Sequence, residues 1–203
     1  MKLYFSPGAC SLAPHIVLRE AGLPYELEKV TLADKKTASG ADYKQINPKG
    51  YVPALQLDNG EVLTEVNAVL QYLADRAPGQ RMAPDAGSME SYRLIEWLSF
   101  ISSELHKSFG PLFKQATPEE TRQILRDTLA LRLDIIEGQL QGRDYLTGNQ
   151  FSIADAYLFT VARWTTPLKF EMERWPALQA YLQRVAQRPA VRTAMLEEGL
   201  IKE

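Results

Sequence analysis

Cys10 is the only cysteine among the 203 residues, and it lies where the first predicted strand gives way to the first predicted helix. Residues 3–5 form a short apolar, β-prone run, a Pro-Gly turn follows, and a helical pattern begins at Ser11. A thiol at a helix N-terminus is next to the positive end of the helix dipole, which favours a reactive thiolate. A buried structural cysteine is the commoner alternative, because apolar surroundings raise the thiol pKa. Its position alone leaves both interpretations open.

Two histidines, His15 and His106, are the other residues typical of catalysis, and they lie far apart in the sequence. Zinc sites use clustered Cys, His and carboxylate ligands, so this pair predicts no metal site. The sequence also lacks a P-loop, a Gly-x-Gly-x-x-Gly turn and a Gly-x-Ser-x-Gly elbow, which makes nucleotide-driven chemistry an unfavoured interpretation. His106 and Lys107 follow an apolar helical stretch, where they form either a polar patch facing a cleft or a solvated helix face.

Val52 and Pro53 mark the entry to a predicted strand. Proline cannot donate a ladder hydrogen bond, so it belongs at a sheet edge or at the first residue of a strand. A cis bond here would turn the Val52 backbone outward, with its N–H and C=O free to pair with an extended peptide. A trans edge proline is far commoner and remains the alternative.

Glu65 opens a predicted helix that follows Thr64. An acidic residue at a helix start commonly does no more than complement the helix dipole. In the functional interpretation, its carboxylate pairs with a ligand ammonium while neighbouring N–H groups hold a ligand carboxylate. Together these groups would bind the head group of an α-amino acid.

Composition limits the function classes. Lys and Arg total 23 against 25 Asp and Glu, and the two signs are balanced in both halves, so neither half resembles a nucleic-acid-binding surface. One cysteine cannot form an internal disulfide. No apolar run approaches the roughly 18–20 residues of a membrane span, and no signal peptide pattern is present. We expect a cytoplasmic protein that binds neither nucleic acid nor membrane.

The periodicity of apolar residues changes along the chain. Residues 1–76 mix strands and helices, including a hairpin around Asp58-Asn59-Gly60, and predict a small four-stranded mixed sheet with helices packed on it. Residues 77–87 are rich in proline and glycine and predict a linker. Residues 88–203 show helical spacing throughout, including a capping-box pattern at Ser152 and Asp155. The expected architecture is an α/β domain followed by an all-α domain.

Five motifs occur in order along this chain and together resemble a family. They are Ser-Pro-Gly-Ala-Cys-Ser at 6–11, Asn-Pro-Lys-Gly-Tyr-Val-Pro-Ala-Leu at 47–55, Leu-Thr-Glu at 63–65, Glu-Leu-His-Lys at 104–107 and Phe-Ser-Ile-Ala-Asp-Ala-Tyr at 151–157. In this order, over essentially the whole chain, they resemble the glutathione S-transferases, and specifically the bacterial beta class. The resemblance implies a thioredoxin-like domain at 1–76, a helical domain at 88–203 and a homodimer.

The resemblance also implies site roles. Cys10 and His106 are the expected catalytic residues, with Cys10 beside the glutathione sulfur. Pro53 is expected to be cis, with the Val52 backbone pairing the cysteinyl unit, and Glu65 is expected to bind the γ-glutamyl end. The full expected glutathione-binding set is Ser11, Lys35, Tyr51, Val52, Pro53, Glu65, Val66, Ser99 and Lys107. Many relatives have Ser or Gly at the position of Val66, which offers the ligand no hydroxyl.

Three functions are compatible with these residues. The leading one is conjugation, in which the glutathione thiolate attacks a small hydrophobic electrophile. The second is thiol–disulfide exchange or peroxide reduction through a mixed disulfide on Cys10. With no second cysteine, another glutathione would have to resolve that intermediate. The third is a non-enzymatic protein of the same fold that binds ligands or other proteins.

Overall fold

A computed structural model describes residues 1–77, 79 and 81–202. The chain divides into two compact units, which are Met1–Ala83 together with Gln187–Glu203, and Pro84–Ala186. The predicted linker at 77–87 contains this boundary, but its residues 78 and 80 lie outside the described residues. No helix in the described part of the chain is both long and apolar enough to cross a membrane.

The first unit is built on a five-stranded sheet with the order β3-β2-β1-β4-β5. The strands are β1 (Lys2–Phe5), β2 (Glu26–Thr31), β3 (Lys36–Thr37), β4 (Ala54–Gln56) and β5 (Val62–Thr64). β1 and β2 are parallel, and the other neighbouring pairs are antiparallel. The sequence predicts four strands and misses β3, because two residues in a polar segment carry no period-two signal. The predicted hairpin is the β4–β5 pair.

Three helices follow the strands of this unit, α1 (Leu12–Glu20), α2 (Tyr43–Ile46) and α3 (Val66–Ala74). α1 is buried from Leu12 to Leu18 and contacts α3. α1 begins two residues after Cys10, and α3 begins directly after Glu65. The sheet and helix ends therefore position the predicted site residues of this unit.

The second unit is helical, and its described residues include no strand. It contains α4 (Met89–Phe100), a π-helical segment (Ile101–His106), α5 (Lys107–Phe109), α6 (Glu119–Leu140), α7 (Ile153–Ala162) and α8 (Pro176–Ala186). α7 is buried along its whole length and begins with the predicted capping box, in which Ser152 and Asp155 satisfy each other's backbone N–H groups.

The last helix, α9 (Pro189–Glu197), belongs to the first unit, although the sequence places all of 88–203 in one helical domain. α9 contacts α1 through buried apolar residues, and Arg188 forms an ion pair with Glu20, with Nε 2.6 Å from Oε1. Helical periodicity identifies a helix but does not say against which unit its apolar face packs. The predicted boundary at 203 also lies outside the described residues.

Candidate functional site

Cys10 lies in the turn between β1 and α1 and is 8% exposed. Its thiol donates a hydrogen bond to the Val52 carbonyl over 3.1 Å. Burial raises the pKa of Cys10 to about 12, and the Glu65 and Glu198 carboxylates add to this rise. The backbone N–H groups of Cys10 and Ser11 lower the pKa, but by less. The structure thus favours the buried thiol over the ionised thiolate, because desolvation outweighs the helix N-terminus.

A slow alkylation of Cys10 is therefore expected. In native protein without glutathione, iodoacetamide labelling at pH 8 should run at least about 100-fold slower than in urea-unfolded chain, because the thiolate fraction is that much smaller. The rate should still rise steeply with pH near 10. Mass spectrometry gives an unambiguous result, since the chain holds one cysteine. Rapid native labelling with a plateau near pH 8 would contradict the raised pKa.

Val52 and Pro53 stand immediately before β4, and the bond between them is cis, as the family resemblance implies. Two hydrogen bonds stabilise the turn before them: the Tyr51 carbonyl accepts from Asn47 Nδ2 at 2.7 Å and from the Tyr43 hydroxyl at 2.8 Å. Within the described residues, the Val52 N–H donates to no acceptor. One main-chain donor at this edge is thus available for a peptide ligand.

Glu65 is the last residue before α3 and has a φ of +72°, a left-handed conformation that is rare for a residue with a side chain. Its Oε1 lies 2.7 Å from Lys49 Nζ, which also donates to Thr64 Oγ1 over 3.0 Å. Val66 follows as the first residue of α3 and is buried. The sequence did not single out Lys49, although it lies in the quoted 47–55 motif, because the reach of a lysine side chain leaves no sequence pattern.

The other predicted binding residues of this unit have different surroundings. Ser11 is fully buried, and its hydroxyl accepts from the Ser6 N–H at 3.1 Å and donates to the Ser6 carbonyl at 3.3 Å. The Ser11 hydroxyl therefore stabilises the turn that carries Cys10. Lys35 Nζ lies 5.9 Å from the centre of the Tyr51 ring, which is 70% exposed. These two side chains thus form an accessible cationic and aromatic pair.

The remaining predicted residues, His106, Lys107 and Ser99, lie in the helical unit. His106 ends the π-helical segment, and its Nδ1 lies 2.7 Å from the hydroxyl of buried Tyr157. The Trp164 ring packs against the imidazole edge-to-face, with 5.0 Å between centroids. Ser99 and Lys107 are exposed. Sequence reasoning missed both the Tyr157 contact and the π-helical turn, which shifts residue spacing without a compositional signal.

The described residues contain no group of three or more His, Cys, Asp or Glu side chains arranged to hold a metal ion. The candidate site instead combines a buried thiol, a Val52 main-chain N–H that donates to no described residue, and a carboxylate at a helix start. This combination suits a short peptide with a free amino end and a sulfur atom.

Comparison with known proteins supports this interpretation. Residues 8–76 match the N-terminal domain of glutathione S-transferases, and residues 100–189 match their C-terminal domain. The chain is 46% identical to glutathione S-transferase GstA of Escherichia coli O157:H7 over 200 residues, which span 98% of this chain and 100% of GstA. The chain belongs to the glutathione S-transferase family. The predicted family is thereby confirmed.

Solved structures of glutathione S-transferases share the fold. A sphingomonad glutathione S-transferase complexed with glutathione superposes with a TM-score of 0.95 at 49% identity, covering 99% of this chain and 100% of that one. A bacterial beta class enzyme from Sphingomonas chungbukensis gives 0.96 at 45% identity, with the same coverage. The predicted thioredoxin-like domain with a helical domain, and the beta class resemblance, are confirmed. The roles of the individual site residues stay predictions.

Proposed function

We propose that this glutathione S-transferase joins the sulfur of glutathione to small hydrophobic electrophiles. The observation that carries the proposal is the Val52 main chain, whose carbonyl accepts from the Cys10 thiol and whose N–H donates to no described residue. This edge suits the cysteinyl unit of glutathione and would bring its sulfur beside Cys10. Glu65 offers a carboxylate to the γ-glutamyl ammonium, and a relative of 49% identity has been solved with glutathione.

The proposed reaction begins with transfer of the glutathione thiol proton to solvent water. The thiolate then attacks an electrophilic carbon, and the new sulfur–carbon bond forms as a leaving group departs with the electron pair, or as a double bond accepts it. Cys10, with a pKa of about 12, stays a neutral thiol near pH 7. When glutathione binds, its single S–H is proposed to turn from the Val52 carbonyl to the ligand sulfur and to donate a hydrogen bond there. A neutral Cys10 weighs against the mixed-disulfide alternative, which requires its thiolate.

His106 is proposed as the second catalytic residue, on the strength of the family resemblance. Its ring is held by the Tyr157 hydroxyl at Nδ1 and by the edge of Trp164. A hydrogen bond at one ring nitrogen selects the tautomer and so determines which proton the other nitrogen carries. Lys107 adds a positive charge next to it in the chain.

Replacing Tyr157 with phenylalanine is expected to lower kcat about fivefold and to change the pH profile of kcat/KM. The variant keeps the ring but loses the hydroxyl that orients His106, an interaction of about 1 kcal/mol. The measurement is a set of initial rates from pH 5 to 9, with urea unfolding to show that the fold is kept. Tyr72→Phe, which removes a hydroxyl that hydrogen-bonds to no described residue, is the control. An unaltered pH profile in Tyr157→Phe would show that Tyr157 does not position His106.

The test of the function is direct. Purified protein with glutathione and a chloronitroaromatic substrate should form the thioether product, followed by absorbance and confirmed by mass. Calorimetry should show glutathione binding at millimolar or lower concentration. If the protein binds no glutathione under these conditions, conjugation is wrong and a non-enzymatic role is favoured.

We also propose that the protein is a homodimer. Exposed apolar side chains recur on α4 and α6, and their exposed fractions range from 41% to 64%: Met89, Tyr92, Ile95, Ile124, Leu131 and Ile135. A second copy of the chain would cover such surface, as the family resemblance implies. Sedimentation should give twice the chain mass, and Leu131→Glu should shift it toward the monomer. A wild-type monomer at micromolar concentration would contradict the proposal. A role in detoxification and a cytoplasmic location also remain predictions.

A further inference from the structure

Lys49 and Glu65 form an ion pair at the start of α3. Lys49 Nζ lies 2.7 Å from Glu65 Oε1 and 3.0 Å from Thr64 Oγ1. Their side chains are 51% and 68% exposed, respectively. Exposed ion pairs of this kind contribute little to the stability of a fold, and an incoming charged group can displace one partner easily. A contribution to the stability of the fold therefore does not account for this ion pair.

The backbone of Lys49 is held in place by the turn at 47–51. Asn47 is 2% exposed; its Oδ1 accepts from the Lys49 N–H at 3.2 Å, and its Nδ2 donates to the Tyr51 carbonyl at 2.7 Å. Gly50 completes the turn with a φ of +68°, which glycine adopts without steric cost. The same turn leads into the Val52 edge. Lys49 thus links the proposed cysteinyl-binding edge to the start of α3.

The backbone of Glu65 is strained, since a φ of +72° is unfavourable for a residue with a side chain. Its carbonyl accepts from the Val69 N–H at 3.0 Å in the first turn of α3, so the strained residue is fixed between β5 and the helix. Strained residues of this kind cluster at ligand-binding sites, where the strain fixes the direction of a functional side chain. Here it sets the carboxylate beside Lys49.

We propose that Lys49 is a specificity-determining residue. Lys49 and Glu65 recognise the zwitterionic α-amino-acid end of the ligand, because each replaces its contact with the other by a contact with a charged group of the ligand. This inference rests on the proposed function. The ligand ammonium takes the place of Lys49 on the Glu65 carboxylate, and the released Lys49 ammonium pairs with the ligand α-carboxylate. Each side brings one positive and one negative charge, so no charge is left unpaired.

This exchange of ion-pair partners explains how the chain can bind the ligand α-carboxylate although Val66 provides no hydroxyl. A valine offers no hydroxyl to the ligand carboxylate, so Lys49 and the N–H groups at the start of α3 provide the contacts instead. A ligand with the ammonium but without the α-carboxylate would leave two cations beside one carboxylate. The protein should therefore discriminate against such a ligand, and the discrimination should depend on the charge of Lys49.

The experiment compares two probes by calorimetry. They are glutathione and its analogue lacking the α-carboxylate, γ-aminobutyryl-cysteinyl-glycine. In wild type the analogue should bind more weakly than glutathione. In Lys49→Met the dissociation constant of the analogue divided by that of glutathione should fall about tenfold. The reason is that glutathione loses a charge-assisted contact that the analogue never makes. Lys49→Arg keeps the cation and should retain most of the discrimination.

Lys29→Met provides the matched control, since it removes an exposed lysine charge from the same unit and should leave both constants at wild-type values. An unchanged ratio in Lys49→Met, with wild type binding glutathione normally, would overturn the role of Lys49 alone. A wild-type protein that binds no glutathione would overturn the proposed function and this inference together. The two failures are therefore distinguishable.

Discussion

Replacing Asp155 with alanine is expected to lower the free energy of unfolding by about 3–4 kcal/mol, one of the two largest effects of a single substitution that we expect in this chain. Asp155 is fully buried at the start of α7. Its Oδ1 accepts from the Leu146 N–H at 2.8 Å, and its Oδ2 accepts from the Ser152 N–H at 2.8 Å and from the Ser152 hydroxyl at 2.7 Å. Alanine leaves these donors without their acceptor in a dry interior.

Two effects keep the expected loss from being larger. Burial raises the pKa of Asp155 above its ordinary value, which shows that removing the carboxylate also removes a desolvation cost. The hydrogen bonds from Leu146 and Ser152 oppose that rise only in part. The Tyr181 hydroxyl, 3.2 Å from Oδ1, retains a second acceptor in the Asp155 main-chain carbonyl at 3.0 Å. The expected loss in the free energy of unfolding is therefore smaller than the summed contributions of the separate hydrogen bonds.

The measurement is urea unfolding followed by circular dichroism, with calorimetry expected to show the melting temperature about 10 °C lower. Asp144→Ala is a matched control in the same unit, because its side chain is 62% exposed and lies 3.7 Å from Arg184. Its expected loss is below about 0.5 kcal/mol. Equal losses in the two variants would show that the buried capping box does not stabilise α7.

The capping box and the β4–β5 hairpin illustrate what local sequence can predict. Ser152 and Asp155 stand three positions apart before an apolar run, and that spacing determines which side chain meets which N–H. Asn59 and Gly60 predict a tight turn because Gly60 adopts a positive φ, here +87°, without a side-chain penalty. Both features depend on neighbours within a few residues, so the sequence contains nearly all of the relevant information.

The sequence names candidate site residues, whose roles stay predictions, but it does not determine their physical properties. The pKa of Cys10, for example, depends on how completely the surrounding chain excludes water. A helix start favours the thiolate and burial favours the thiol, and only packing decides which effect is larger. The contacts of Lys49 and Tyr157 were missed for a related reason, since each joins side chains that are distant in the chain.

The contact between Glu198 and the Cys10 turn is a further feature that sequence does not reveal, because its partners are more than 180 positions apart. The Glu198 side chain is fully buried. Its Oε2 accepts from the Gly8 N–H at 2.9 Å, and its Oε1 lies 3.0 Å from Nδ1 of buried His15. The C-terminal segment thus holds the turn that carries Cys10 and the first helix at the same time.

Glu198→Ala is expected to lower the free energy of unfolding by about 3 kcal/mol, since the buried His15 ring and the partly buried Gly8 N–H lose a charged acceptor. The Gly8 turn should also shift, so kcat/KM for glutathione conjugation should fall more than kcat. Urea unfolding and initial rates measure the two effects. Glu198→Gln should lie between wild type and alanine, because its amide keeps one acceptor oxygen and replaces the other, which faces the second partner, with an NH2 donor.

Glu197→Ala provides the comparison that separates this contact from a general effect of the C-terminal helix. Glu197 approaches the other side of His15, with Oε2 2.9 Å from Nε2, but its side chain is 30% exposed and pairs with Arg19 at the surface. Water replaces much of that interaction, so we expect a loss of about 1 kcal/mol. A loss in Glu197→Ala as large as in Glu198→Ala would mean that α9 packing as a whole, rather than the Glu198 contact with Gly8, positions the Cys10 turn.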